Sequence, residues 1–186
     1  VISTLGSLKL GNVRKIDKSF CDEFKKNVGK RRVLLAASTH EGEDAIMIEA
    51  AKVLGDDWLT IIAPRHPSRG ADIAALAMAP QRSLGNWPCK KKNIYIMDSF
   101  GELENLFSFS DLAILGGSFV PKGGHNPLEP AAFGLPIITG PHTFKNDAEF
   151  AGLRENGVVF DLACEHESLD PVIIGQSIAK IVVKIM

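Results

Sequence analysis

The chain is short of the residues that staple small secreted folds or hold metals. It has 3 cysteines in 186 residues, Cys21, Cys89 and Cys164, odd in number and far apart. They exclude a disulfide scaffold, show no zinc-ligand spacing and fit a reducing compartment. No apolar run is long enough to span a bilayer, and no signal-peptide pattern is present. Charge of one sign is also missing: 21 Lys and Arg stand against 22 Asp and Glu. The lysine run Lys90 to Lys92 reads as a solvated loop, so no nucleic-acid partner is expected. Internal repeats and low-complexity tracts are absent. So are a G-x-G-x-x-G after the first strand, a G-K-[ST] phosphate loop, an H-x-x-x-H spacing and a G-x-S-x-G elbow. These absences argue against a dinucleotide enzyme, a P-loop NTPase, a zinc hydrolase and a serine hydrolase. No cofactor and no metal are expected.

What is present is a regular alternation. "RVLLAAS" reads as a buried strand, and "EGEDAIMIEAAKVLG" as a helix closed by Gly55. "WLTIIAP" is a strand, followed by a helix from Pro67 to Met78 and an irregular stretch, Ala79 to Lys92. "NIYIMD", "DLAILGG", "PIITG" and "GVVFD" read as strands. "GELENLFSFS", Pro127 to Phe133, "NDAEFAGLREN" and "DPVIIGQSIAKIVVKIM" read as helices. Ser19 to Asn27 is a further helical stretch, and residues 1–30 as a whole read as an entering linker or strand. Strands without alternation, each separated by a helix, indicate an α/β fold: a Rossmann-like, doubly wound parallel sheet of about six strands. The length suits one domain, residues 1–186. The last helix carries an apolar face, Val172, Ile173, Ile178, Ile181 and Val182, to be covered by this domain or by a further one.

In such a sheet ligands bind beyond the carboxyl ends of the strands, and the unusual residues collect there. The turns are "STHEGED", "PRHPSRG", "DSFGEL", "GGSFVPKGGHNPLEP" and "GPHTFKN"; they hold His40, His66, His125 and His142. In three of them a capping residue precedes a glutamate by three positions: Ser38 and Glu41, Ser99 and Glu102, Asn126 and Glu129. These glutamates either tie down helix starts or accept hydrogen bonds from ribose hydroxyls, beside N–H groups that suit a phosphate. Gly116-Gly117 and Gly123-Gly124 allow close backbone approach. Arg65, between two prolines, either pairs with a surface carboxylate or holds a phosphate.

Taken in order, these turns resemble the C-terminal half of 3-deoxy-D-manno-octulosonic acid (Kdo) transferases. The matching blocks are "GSLK" (Gly6 to Lys9), "AASTHEGED" (Ala36 to Asp44), "PRHPSR" (Pro64 to Arg69), "DSFGEL" (Asp98 to Leu103), "GGSFVPKGGHNPLEPAAFGLPIITGPHTF" (Gly116 to Phe144) and "NGVVFD" (Asn156 to Asp161). Ser7 stands where the family usually has asparagine, and Gly70 to Lys92 matches poorly.

The resemblance implies the donor-binding domain of a two-domain, inverting GT-B glycosyltransferase. Such an enzyme moves Kdo from CMP-Kdo to a lipid A precursor in lipopolysaccharide core biosynthesis. The first residue, Val1, fits a piece of a longer chain. The acceptor domain, with the general-base glutamate, would lie upstream, so no catalytic residue is expected in this chain and the piece alone would not transfer sugar. The full enzyme would be membrane-associated on the cytoplasmic side of the bacterial inner membrane, and this piece soluble. The resemblance places CMP-Kdo against Pro64, Arg65, Phe100, Gly101, Glu102, Asn126, Pro127, Leu128 and Glu129. Secondary candidates are Ser38, Thr39, Lys122, Gly124 and His125. Lys122 is the cation for the Kdo carboxylate, and His125 either donates to the phosphate or packs the loop. Competing readings are a GT-B donor domain for a UDP- or GDP-sugar and a non-catalytic nucleotide-binding module.

Overall fold

The computed structural model describes residues 16–162 and 170–186. Residues 1–15 of the entering segment, with the "GSLK" block, and Cys164 lie outside the described residues; the rest of that segment is not a linker or strand but carries a helix, Lys18–Val28. In chain order the elements are α1 (Lys18–Val28), β1 (Arg32–Thr39), α2 (Glu43–Leu54), β2 (Trp58–Pro64), α3 (Gly70–Ala77), β3 (Ile94–Ile96) and α4 (Leu103–Phe107). There follow β4 (Leu112–Leu115), α5 (Leu128–Ala132), β5 (Ile137–Thr139), α6 (Asp147–Glu155), β6 (Val159–Asp161) and α7 (Pro171–Ile185). All strand pairs are parallel, in the order β3-β2-β1-β4-β5-β6. This is the expected Rossmann-like doubly wound sheet, with its switch point between β1 and β4.

The strands read as unbroken apolar runs because both faces of the sheet are covered. Side-chain alternation then sorts each run between two cores. Leu35, Ala37, Ile61, Tyr95 and Leu115 point to the layer of α1, α4, α5 and α6. Leu34, Ala36, Ile62, Ile96 and Ile114 point to the layer of α2, α3 and α7. Helix α1 joins the first layer through Phe20, Phe24 and Val28, all buried. Its start is fixed by Asp17, whose carboxylate accepts from Phe20 N at 3.0 Å.

Two expectations change. The helix expected from Pro67 begins as a 3-10 turn, Pro67–Arg69, and becomes α-helical only at Gly70. The apolar face of α7 is not left open as a block. Ile178 and Val182 are buried against α2, together with Ile174 and Ala179, while Val172 and Ile173 stay exposed. Gly175 makes that docking possible. A Cβ there would lie 2.7 Å from Glu49 Cβ and 2.8 Å from Ala50 N, so only glycine lets the two helices come this close.

Candidate functional site

At the switch point the turns after β1 and β4 touch backbone to backbone. A Cβ on Gly116 would sit 2.2 Å from Ser38 O; likewise the turns after β4 and β5 touch, where a Cβ on Gly140 would sit 2.4 Å from Ser118 O. Ser38 itself takes a left-handed φ of 59°, which is unusual for a non-glycine residue. The capping pair expected at Ser38 and Glu41 does not form. α2 starts only at Glu43, after Gly42 at φ 91°. Glu41 is exposed, and the working carboxylate is the buried Glu43. It accepts from His40 N at 2.8 Å, Gly117 N at 2.8 Å and Phe119 N at 3.0 Å. Burial pushes this carboxyl up, and the three amide bonds counter the shift without cancelling it. One side chain thereby locks the β1 turn to the β4 loop. Beside it Thr39, fully buried, donates to Asp44 at 2.7 Å. Asp44 is also paired with Arg69, whose second nitrogen donates to Thr39 O at 3.2 Å. Thr39 is thus held by structural bonds.

Beyond β2, Pro64 is buried and Arg65 is exposed. Arg65 is anchored through its backbone, donating to Thr39 O at 2.9 Å. Among the described residues its guanidinium has no carboxylate within 4.0 Å. Among the described residues, Arg65 is thus not half of an ion pair. It stands at a shallow cleft of about 130 Å³, lined also by Ser38, Pro64, Ser99, Phe100 and Gly101. Phe100 is 83% exposed, a large apolar ring held open at the cleft.

The turn after β3 is pinned from outside. Asp98 is buried and accepts from Ser83 N at 2.8 Å, Ser83 Oγ at 2.6 Å and Gln81 Nε2 at 3.0 Å. Glu102 is held by Arg82 through contacts of 2.9, 3.2 and 3.3 Å and by the Ser99 hydroxyl. The Arg82 guanidinium lies 4.7 Å from the Trp87 ring and 5.3 Å from that of Phe20. Ser99 and Glu102 therefore do meet, but Ser99 does not start the helix, which begins at Leu103.

In the β4 loop Asn126 accepts from Leu128 N at 3.0 Å. Desolvation holds the Glu129 carboxyl above the usual carboxylate range, while the nearby Asn126 amide and Arg65 pull it back. Asn126 and Glu129 are neighbours as expected, but Asn126 does not cap α5: Pro127 holds the N-cap position, without a side-chain cap bond. Helices α4 and α5 have only five residues each, so their dipoles are weak and Arg65 is the stronger charge at this rim. Gly124 is buried, with its Cβ position 3.1 Å from His142 O. His125 and His40 place their Nε2 atoms 2.9 Å apart. Lys122 is exposed. A larger concavity, about 870 Å³, is lined by Lys30, Arg32, Asp56 and Trp58. It opens at the amino ends of β1 and β2, away from every one of these turns.

Among the described residues no cluster of three or more His, Cys, Asp or Glu could hold a metal. The same residues include no helix long and apolar enough to cross a membrane.

The fold and these turns have close counterparts. A 3-deoxy-D-manno-octulosonic acid transferase of Haemophilus influenzae is 36% identical over 176 residues, 86% of this chain and 41% of the relative. One of Bordetella pertussis is 40% identical over 126 residues, 61% of this chain and 29% of the relative. The crystal structure of the C-terminal CMP-Kdo binding domain of WaaA from Acinetobacter baumannii superposes with a TM-score of 0.75 at 26% identity, covering 89% of each chain. The chain belongs to the 3-deoxy-D-manno-octulosonic acid transferase family. It spans less than half the length of the curated Kdo transferases it matches, and it corresponds to the C-terminal domain of the family. Anabaena Alr3699/HepE in complex with UDP shares the fold alone, at 15% identity and a TM-score of 0.51. No protein-family model matches the chain.

Sequence reasoning missed Glu43, the Asp44–Arg69 pair, Arg82 and the partnership of His40 with His125. Glu43 sits in a run of acidic residues, "EGED", where spacing alone favours the wrong member. Arg82 lies in the one stretch without a motif.

Proposed function

We propose that this chain is the nucleotide-sugar-binding half of an inverting Kdo transferase, taking CMP-Kdo as donor for transfer to a lipid A precursor. One observation carries the reading. An unpaired arginine, an exposed phenylalanine and a carboxylate beside a helix start converge at one rim of the switch point, in a chain of this family. Arg65 faces the phosphate, with turn amides near Gly101 and Asn126 completing the cradle. Phe100 and Gly101 frame the cytosine, and Pro64 and Leu128 form the walls. Glu129 receives the ribose hydroxyls, with Asn126 and Pro127 setting its position. Glu102, bound to Arg82, acts by shaping its turn. Lys122 faces the sugar carboxylate. The acceptor, the general base and any membrane attachment belong to the part of the family's length that this chain does not span. The residues 1–186 then form one donor domain.

Titration with CMP, UMP and GMP tests the reading. CMP at a hundred times its dissociation constant should stabilise the chain by about 2.7 kcal/mol, with UMP and GMP far behind. Arg65→Ala removes a charge-assisted contact of about 1.5–3 kcal/mol, so CMP affinity should fall at least about tenfold. Because Arg65 makes no side-chain bond among the described residues, the melting temperature should not move. Equal affinity for all three nucleotides, or an unchanged affinity in the variant, refutes the assignment.

A further inference from the structure

The two histidines that meet above Gly117 are not explained by packing. His40 comes from the turn after β1 and His125 from the loop after β4, and the rings lie nearly parallel, 3° apart, with centroids 5.1 Å apart. At 2.9 Å between Nε2 atoms, one ring donates and the other accepts. The accepting ring then carries its proton on Nδ1. The donating ring has a bare Nδ1. Neither Nδ1 has a protein partner among the described residues. The pair therefore presents one ready donor and one nitrogen able to take up a proton.

Its surroundings are cationic on every side. Lys122 shares the His125 loop, and a Cβ on Gly117 would touch both rings and Lys122 Cβ at 3.4 Å. Arg65, His66 and Arg69 face the pair from the end of β2, and Lys145 from the loop after β5. Arg69 is neutralised by Asp44, but Arg65, Lys122 and Lys145 have no ion-pair partner among the described residues. Glu43, at the start of α2, is used up on three backbone amides. Glu129 faces Arg65 from α5. Burial and these cations keep both rings below the usual histidine range, His125 down to about 4. Lys122 and Lys145, with no carboxylate within 4.0 Å among the described residues, leave an excess of positive charge that favours an arriving anion.

We propose that His40 and His125, with Lys122, form a second anion subsite that receives the carboxylate of the donor's sugar acid and takes up a proton from solvent as it does so. The proposal rests on the CMP-Kdo reading and deepens it. A sugar acid linked to CMP carries two anions. The phosphate lies on Arg65 and the turn amides; the carboxylate lies on the histidine pair. The Nδ1–H of one ring donates to the carboxylate, and its charge draws a proton onto the bare Nδ1 of the other. Sugar nucleotides without a carboxylate would leave this subsite unfilled, so the subsite selects for sugar acids.

Calorimetric titration of this chain with CMP and with CMP-Kdo, each in two buffers of different ionisation enthalpy between pH 6.5 and 8, tests it. CMP-Kdo should bind with net proton uptake, and CMP with markedly less. CMP-Kdo affinity should rise about three- to tenfold across that range as pH falls. His40→Gln should lose at least about ten times more affinity for CMP-Kdo than for CMP. Equal proton uptake for the two ligands, or equal losses in the variant, overturns the carboxylate assignment and gives the pair to the phosphate. Absence of uptake with CMP-Kdo on the unaltered chain overturns it without reference to any variant. If CMP itself does not bind, the nucleotide reading falls first and the subsite falls with it.

Discussion

Arg82 lies outside every recognisable motif, yet it bonds Glu102 and stacks on two aromatic rings, so its removal gives a sharp test of how the β3 turn is held. Both side chains are about one-fifth exposed, 23% for Arg82 and 21% for Glu102. The pair is thus neither a screened surface contact nor a fully desolvated one. Breaking a buried pair costs about 3–5 kcal/mol and an exposed one under about 1; this pair falls between, at about 2–3 kcal/mol. The aromatic contacts are part of that loss. A chain of this size loses roughly 2–4 °C of melting temperature per kcal/mol, so Arg82→Ala should melt about 4–12 °C lower. Arg82→Lys keeps the charge but not the planar fork or the stacking, and should recover under half of the loss. The decisive assay is a thermal or denaturant double-mutant cycle with Glu102→Ala, whose coupling should be about 1–3 kcal/mol. Coupling below about 0.5 kcal/mol, or a melting temperature within about 1 °C of the parent, would refute the view that Arg82 holds Glu102 in place.

Two further outcomes are expected. Gly175→Leu forces α7 away from α2, because even a Cβ falls 2.7 Å from Glu49 Cβ; the denaturant midpoint should drop by the equivalent of at least about 1–3 kcal/mol, and an unchanged midpoint refutes the close approach. In acid, the folded state binds fewer protons at His125 than the unfolded chain does between pH 6.5 and about 4, so stability should be full above 6.5 and fall through that window. Glu43 and Glu129, raised by desolvation, act in the opposite sense, so the slope belongs to His125 only if His125→Gln flattens it.

The strands were legible in the sequence because a sheet covered on both faces leaves continuous apolar runs, and "WLTIIAP" matches β2 residue for residue. The rim was legible because its turns concentrate glycine, proline and histidine. What could not be read depends on distance in three dimensions or on backbone torsion. Glu41 and Glu43 look alike in a string; Gly42, left-handed at φ 91°, moves the helix start and turns the second one inward. The Arg82 clasp draws on Phe20 in α1 and Trp87 in an irregular stretch, and no local pattern announces their meeting. The apolar stripe of α7 was visible, but its target was not, since Gly175 acts only once α2 is alongside.

The backbone contact between Gly116 and Ser38 has a consequence for descent. A bed built of peptide groups offers nothing for substitution to retune: any side chain added at Gly116 breaks it, and no change at its neighbours redecorates it. Adaptation is then confined to the residues standing around that bed. A lineage using this scaffold can vary the residues around that contact, while the contact itself passes on untouched.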